Sequence, residues 1–247
     1  MTTRTTSALY YVRLREDLPR DVAQAYWAGL HADIVRRLPH LVEYRQHHFS
    51  ATDHGYWPAT PRVGTVTPAS WRLDGFAEVR FQNLASGLLV PLHLREVFFD
   101  EQNVFEQVLG HLAGPTGGRW WTEGHDPHVG HRTTVLLRRR AGASRRGFRN
   151  FVRERLAPAL ETAGALDLRA YTFLPGLPHP TPGIAHHNPA NRRYHGAVLF
   201  GTTHRGDVDA LLTHPEVAAA IAVQGETCSA VHSYAVHRTV PVIGAPA

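Results

Sequence analysis

Leu73-Asp74-Gly75-Phe76-Ala77-Glu78-Val79-Arg80-Phe81 is the stretch whose reading decides the fold. Leu73, Gly75, Ala77, Val79 and Phe81 alternate with Asp74, Phe76, Glu78 and Arg80, the period of two that sends successive side chains to opposite faces of a strand. The faces are unlike. One is small and apolar; the other is neither fully polar nor fully apolar, as expected for a barrel interior that buries a few paired charges. Further along the chain the pattern returns, because Asp74-Gly75 aligns with His195-Gly196 at the head of a second apolar run.

Working outward from this strand, the first half of the chain reads as strand 9–14, helix 20–38, strand 41–49, a long polar loop 50–72, the strand above, helix 103–112 and a closing strand from 117 to 121. In the first helix Val22, Tyr26, Leu30, Ile34 and Leu38 form one stripe, Asp17 is the expected cap, and Pro39 ends it. The second half repeats the order: strand 133–139, helix 144–162, strand 166–174, a loop to 192, strand 194–201, helix 207–223 and strand 229–238. Leu41 and Tyr44 align with Leu168 and Tyr171. The polar segment 125–130 is the expected boundary, giving lobes 1–126 and 127–247, the first a candidate active lobe and the second structural. A βαββαβ unit is the ferredoxin-like arrangement, and two in tandem can pair their open sheet faces into one α+β barrel.

Composition removes whole classes of chemistry. The 247 residues include no lysine, which excludes a Schiff base and a P-loop lysine, and one cysteine, Cys228, which excludes an internal disulfide, a cysteine zinc site and an iron–sulfur cluster. A net charge of +5 is mild, and no aromatic platform accompanies it, so nucleic acid is not expected as a partner. The basic run Arg138, Arg139, Arg140, Arg145 and Arg146 reads as a solvated turn or an anion site. No leader-like or membrane-length apolar run is present, so a cytoplasmic protein is expected. His125, His128 and His131, and the pair His186-His187, lie in loops or at strand ends and lack helical ligand spacing, so no metal is expected.

The order of elements resembles the dimeric α+β barrel superfamily. More narrowly, Ala25-Tyr26-Trp27 through His31-Ala32, then Leu38-Pro39, Leu41 and Tyr44, resembles the opening of the EthD-like family, and Asp74 to Glu78 with Phe81 resembles its third strand. The resemblance implies a pocket for a hydrophobic small molecule between helix and sheet, with no organic cofactor.

Trp27 and His31 are four residues apart and share a helix face at the edge of that space. A histidine there can move a proton near neutral pH; the plainer alternative is a half-buried imidazole packed on tryptophan. Along the second strand, Val42, Tyr44, Gln46 and His48 share one side while Glu43, Arg45, His47 and Phe49 share the other. His31, Tyr44 and His48 are therefore the candidate catalytic groups. Trp27 and the loop residues His54, Tyr56 and Trp57 are the candidate substrate contacts, with the loop as a lid or, alternatively, as packing against the other lobe.

The expected activity is tailoring of an aromatic or polyketide-like molecule by cyclisation, dehydration or isomerisation, or by cofactor-free oxygenation. Alternatives are a haem-binding barrel enzyme and a non-catalytic carrier of a hydrophobic ligand. The one protein partner entertained is a second copy of the chain, as a homodimer.

Overall fold

A computed structural model describes residues 5–89, 95–114, 116–122, 126, 128–175 and 181–244. Nine antiparallel strands form one sheet: β1 (Thr6–Leu14), β2 (Leu41–His54), β3 (Gly75–Phe81), β4 (Phe105–Gly114), β5 (Gly118–Trp120), β6 (His131–Arg139), β7 (Leu166–Thr172), β8 (Gly196–Thr202) and β9 (Cys228–Ile243), in the spatial order β4-β1-β3-β2-β9-β6-β8-β7-β5. The two ends of that order, β4 and β5, are joined by a single turn in which the Gly117 amide donates to the Gly114 carbonyl. The sheet must therefore roll until its ends meet, and Leu174 N–H donating to the Leu112 carbonyl closes the seam. The tandem α+β barrel is the architecture of the chain.

Each lobe lays helices on the outside of its half of the sheet. In the first, α1 (Arg20–Tyr26) runs through a π-helical turn (Trp27–His31) into α2 (Ala32–Arg36), and α3 (Leu84–Leu89) and α4 (Arg95–Glu101) follow β3. In the second, α5 (Arg145–Asn150) runs through a π turn (Phe151–Leu156) into α6 (Ala157–Thr162), and α7 (Asp207–Thr213) and α8 (Pro215–Ala222) follow β8. The helix start differs from expectation: Pro19 occupies the cap position, and Asp17 is ion-paired to Arg15 instead. Among the described residues no helix is long and apolar enough to cross a membrane.

Glycine permits the helices to lie close to the sheet. A Cβ at Gly75 would stand 2.4 Å from the His47 carbonyl and 2.9 Å from the Trp27 ring; one at Gly196 would meet the Tyr171 carbonyl at 2.7 Å and Phe148 at 3.2 Å. Gly75 faces His48 and Gly196 faces Thr172 in the register. Counting back from those pairs, Glu43, Arg45 and His47 correspond to Asp167, Arg169 and Tyr171. The expected alignment of Tyr44 with Tyr171 is thus corrected: Tyr44 packs in the helix-side core, whereas Tyr171 lies inside the barrel and donates to Glu78.

The second correction concerns residues 103–112, expected as a helix. They are largely β4, paired to β1 from Leu14↔Phe105 to Ser7↔Gly114. Phe105, Val108, Leu109 and Leu112 have helical spacing only because both faces of this strand are covered, Val108 against the helices and Leu109 toward the barrel.

Strand alternation divides the interior as the central stretch implies. Ala77, Val79 and Phe81 enter the helix-side core, while Phe76 enters the barrel core with Leu9, Tyr11 and Tyr234. Glu78 and Arg80 join a charge network there: Arg169 Nη1 lies 2.8 Å from Glu43 and 2.9 Å from Glu78, His47 Nε2 lies 3.1 Å from Glu78, and Arg80 lies 2.9 Å from Glu43. Burial works to raise the Glu78 carboxyl, but Arg169 and then His47 outweigh it and hold the group well below its ordinary range.

Candidate functional site

The π turn places Trp27 and His31 on the buried side of the leading helix, at 0% and 3% exposure. Such a turn inserts one residue into the helical ladder and is frequent at functional positions. Here the device occurs in both lobes, but at the second one the enclosed residues are Phe151, Val152 and Leu156, which simply fill the space above the sheet.

In the first lobe that space stays partly open. A cavity of about 60 Å³ is lined by His31, Tyr44, Trp27, Tyr10, Glu101 and Phe105, among others, with half-buried Leu38, Leu41 and Phe98 marking its open side. His31 Nδ1 lies 2.7 Å from Asp100 Oδ2, and Tyr26 donates its hydroxyl to the other oxygen of the same carboxylate. A carboxylate on Nδ1 fixes the tautomer and ring orientation, leaving Nε2 as the nitrogen able to accept a proton from a bound molecule. Burial would raise the Asp100 carboxyl; the hydrogen bonds from His31 and Tyr26 outweigh it, so Asp100 is held below its usual range and stays ionised.

Its chain neighbour behaves in the opposite way. Burial pushes the Glu101 carboxyl up to about 8, opposed by the Thr181 hydroxyl donating at 2.9 Å and reinforced by Asp100. Adjacent carboxyls with pKa values driven apart are the usual mark of separate acid and base roles. Tyr10, pushed up to about 12 by burial and then by Glu101, remains a neutral phenol, and burial raises Tyr44 likewise. Asp100 and Glu101 were missed at the level of sequence because they sit in a segment of no clear period and belong to no motif.

Of the expected catalytic residues, His31 and Tyr44 line this cavity. His48 does not. Its ring stacks 4.2 Å behind Trp27, is fully buried, and is pushed down to about 3 by burial and then by His237 and Arg238. His48 therefore packs behind the Trp27 wall and lines no part of this cavity. His47 falls on the barrel side beside Glu43 and Arg45, as the strand parity requires, but its carboxylate partner is Glu78.

The lid expected over this cavity lies elsewhere. His54 extends β2 opposite Tyr234, Tyr56 donates to Thr133 Oγ1 at 3.0 Å, and Trp57, 2% exposed, donates its indole N–H to Gln224 at 2.8 Å within the second-lobe core. Two large aromatic rings find more apolar surface against the second lobe than over a cavity of this size. As its side chains stand, the cavity of about 60 Å³ beside His31 is too small for a porphyrin and equally for any polycyclic ring system. Among the described residues no cluster has the makings of a metal site, and His125 lies outside them.

No family model matches the chain, and no curated protein matches it in sequence. Solved structures do match in fold. A "putative monooxygenase" of Lactobacillus acidophilus superposes with TM-score 0.58 at 7% identity over 98% of this chain and 97% of its own. A second protein of that description, from Fusobacterium nucleatum, gives 0.60 at 6% over 97% and 95%. An anthrone oxidase-like protein gives 0.59 at 8% over 96% and 93%. The likeness spans both lobes and is one of fold.

Proposed function

We propose that the protein is an EthD-like tailoring enzyme that acts on a hydrophobic, aromatic or polyketide-like small molecule in the first-lobe cavity, with His31 as the proton-accepting base. The observation that carries this reading is the Asp100–His31 pair set against an apolar wall of Trp27, Tyr44 and Phe105. His31 Nε2 takes a proton from a phenol or an activated C–H, and the ionised Asp100 stabilises the imidazolium that results. Glu101, still protonated at neutral pH, can hydrogen-bond to a developing oxyanion or return a proton to it. Tyr10 and Tyr44 add neutral phenol donors. Leu38, Leu41 and Phe98 must shift to admit a polycyclic ring system, since ligand sites are usually about 300–1,000 Å³.

Proton removal alone would serve a cyclase, a dehydratase or an isomerase. Cofactor-free oxygenation, in which the electron-rich anion left by His31 reduces dioxygen, is favoured by the names that the fold neighbours carry. Anthrone is the natural first probe. Its dioxygen consumption should fall by about a hundredfold or more in His31→Ala, the lower part of the range for general bases, while the fold survives. An unchanged rate in the variant would place the base elsewhere. A wild-type protein that binds anthrone without consuming dioxygen or exchanging its acidic protons would instead be a carrier.

A further inference from the structure

A second cavity, larger than the one beside His31, lies elsewhere in the fold. It has a volume of about 830 Å³ and opens between β4 and the connection from β7 to β8, beneath the start of α5. Arg139, Arg145, Arg146, Arg149 and Arg193 line it, and among the described lining residues none is Asp or Glu. These arginines come from three separate parts of the chain: the end of β6, the first turns of α5 and the approach to β8. Among the described residues none of the five is ion-paired; Arg139 donates to the Ala143 carbonyl and Arg193 to that of Asn188. Five guanidinium groups around one hollow repel one another, an arrangement that an anion would relieve.

Two histidines report the same field from within the cavity. His195 is pushed down to about 4 by burial and then by Arg139, Arg193, Arg138 and Arg145. His111, 4% exposed, hydrogen-bonds through Nδ1 to the Leu109 carbonyl while its Nε2 is buried with no partner. Part of the remaining wall is apolar and aromatic, formed by Leu109, Phe173, Leu174 and Tyr194. A bare inorganic ion would leave that wall unused, and a neutral aromatic would leave the guanidinium groups unanswered.

We infer that this cleft is a second binding site, for an aromatic small molecule carrying a phosphate-like dianionic group. The planar guanidinium forks of Arg145, Arg146 and Arg193 grip the oxygens, since arginine matches phosphate geometry with paired N–H donors. The aromatic body lies on Phe173 and Tyr194. The volume fits a molecule of this class, being within the usual range for small-molecule sites.

The probe is 1-naphthyl phosphate, titrated calorimetrically against the full-length protein, with 1-naphthol and inorganic phosphate as separate arms. Saturable binding is expected, tighter than either arm alone and weakened by added salt. The double variant Arg145→Glu with Arg146→Glu should lose at least about tenfold in affinity, because each charge-assisted contact is worth that order. Both residues are exposed, so its melting should match the wild type; Arg193→Ala tests the opposite wall without reversing charge. His31→Ala should bind the probe as the wild type does. No saturable binding, equal affinity for 1-naphthol, equal affinity for inorganic phosphate, or a double variant as tight as the wild type would each overturn the inference. Loss of binding in His31→Ala with retention in the double variant would overturn it too, by putting the probe in the first-lobe cavity.

Discussion

Replacing Arg169 by methionine, a residue of similar reach and no charge, isolates what the barrel's internal charges contribute. Arg169 is 2% exposed and stands between Glu43 and Glu78, at 2.8 and 2.9 Å. Without it Glu43 keeps Arg45 and Arg80, but Glu78 is left with His47 and the Tyr171 hydroxyl alone. Removing one partner of a buried pair typically costs about 3–5 kcal/mol. At about 2–4 °C per kcal/mol for a chain of this size, melting should fall by roughly 6–20 °C at pH 7. The loss should depend on pH in a defined direction. In the wild type the Glu78 pKa is depressed below its unfolded value of 4.5, so its stabilisation is present above that value and is lost as pH falls through the folded pKa. In the variant that stabilisation is gone and burial acts unopposed by Arg169, so the difference between the two proteins grows from about pH 4 to pH 7. Urea unfolding at pH 4.5 and pH 7, followed by tryptophan fluorescence and circular dichroism, measures both quantities. A cost under about 1 kcal/mol at pH 7 would refute the reasoning. So would a cost no smaller at pH 4.5, which would point to lost packing instead of charge.

Three further outcomes are expected. Glu101→Gln should leave stability unchanged near pH 4.5 and raise it above the wild type by pH 8. The wild-type carboxyl, with its folded pKa raised to about 8, loses its contribution as pH climbs from the unfolded value toward that point, and thermal melts across the range would refute this by showing wild-type stability rising. Trp57→Ala should destabilise by about 3–5 kcal/mol while leaving anthrone binding unchanged, since it empties second-lobe core and lines no part of the first-lobe cavity; a binding defect without a stability defect would restore the lid. A fragment of residues 1–126 loses β9 from one edge and β7 from the other, so it should be unstable alone or pair with a second copy. Sedimentation of a monomer that melts as sharply as the full chain would show the lobes to be independent.

The duplication and the barrel were legible because strand parity is robust: the alternation over residues 73–81 correctly assigned Phe76, Glu78 and Arg80 to the barrel side. The same parity put His47 opposite Tyr44 and His48. It could not tell that His48 is screened from the cavity by Trp27, because that depends on how closely Gly75 lets the indole approach β3. β4 was misread since a strand buried on both faces has no polar side to reveal its period. For the aromatic loop the structure has the alternative, packing against the other lobe, and not the lid, because a sequence shows that rings must be covered, not by what. Asp100 was invisible as a site; Arg139, Arg145 and Arg146 belong to the run read as a solvated turn or an anion site, but their convergence with Arg149 and Arg193 is a product of chain folding alone.

Each lobe lends its last strand to the other. Tyr44 of β2 is paired with Ile243 of β9, so the edge of a strand early in the chain waits for a partner that lies far later in sequence. Until then the far half of β2 is an open strand edge, the kind of surface that templates unwanted pairing between chains. Closure of the barrel is therefore limited by contacts distant in sequence, whose formation is slow. Loss of the residues around Ile243 would be felt at β2, distant in sequence, as slow folding and aggregation.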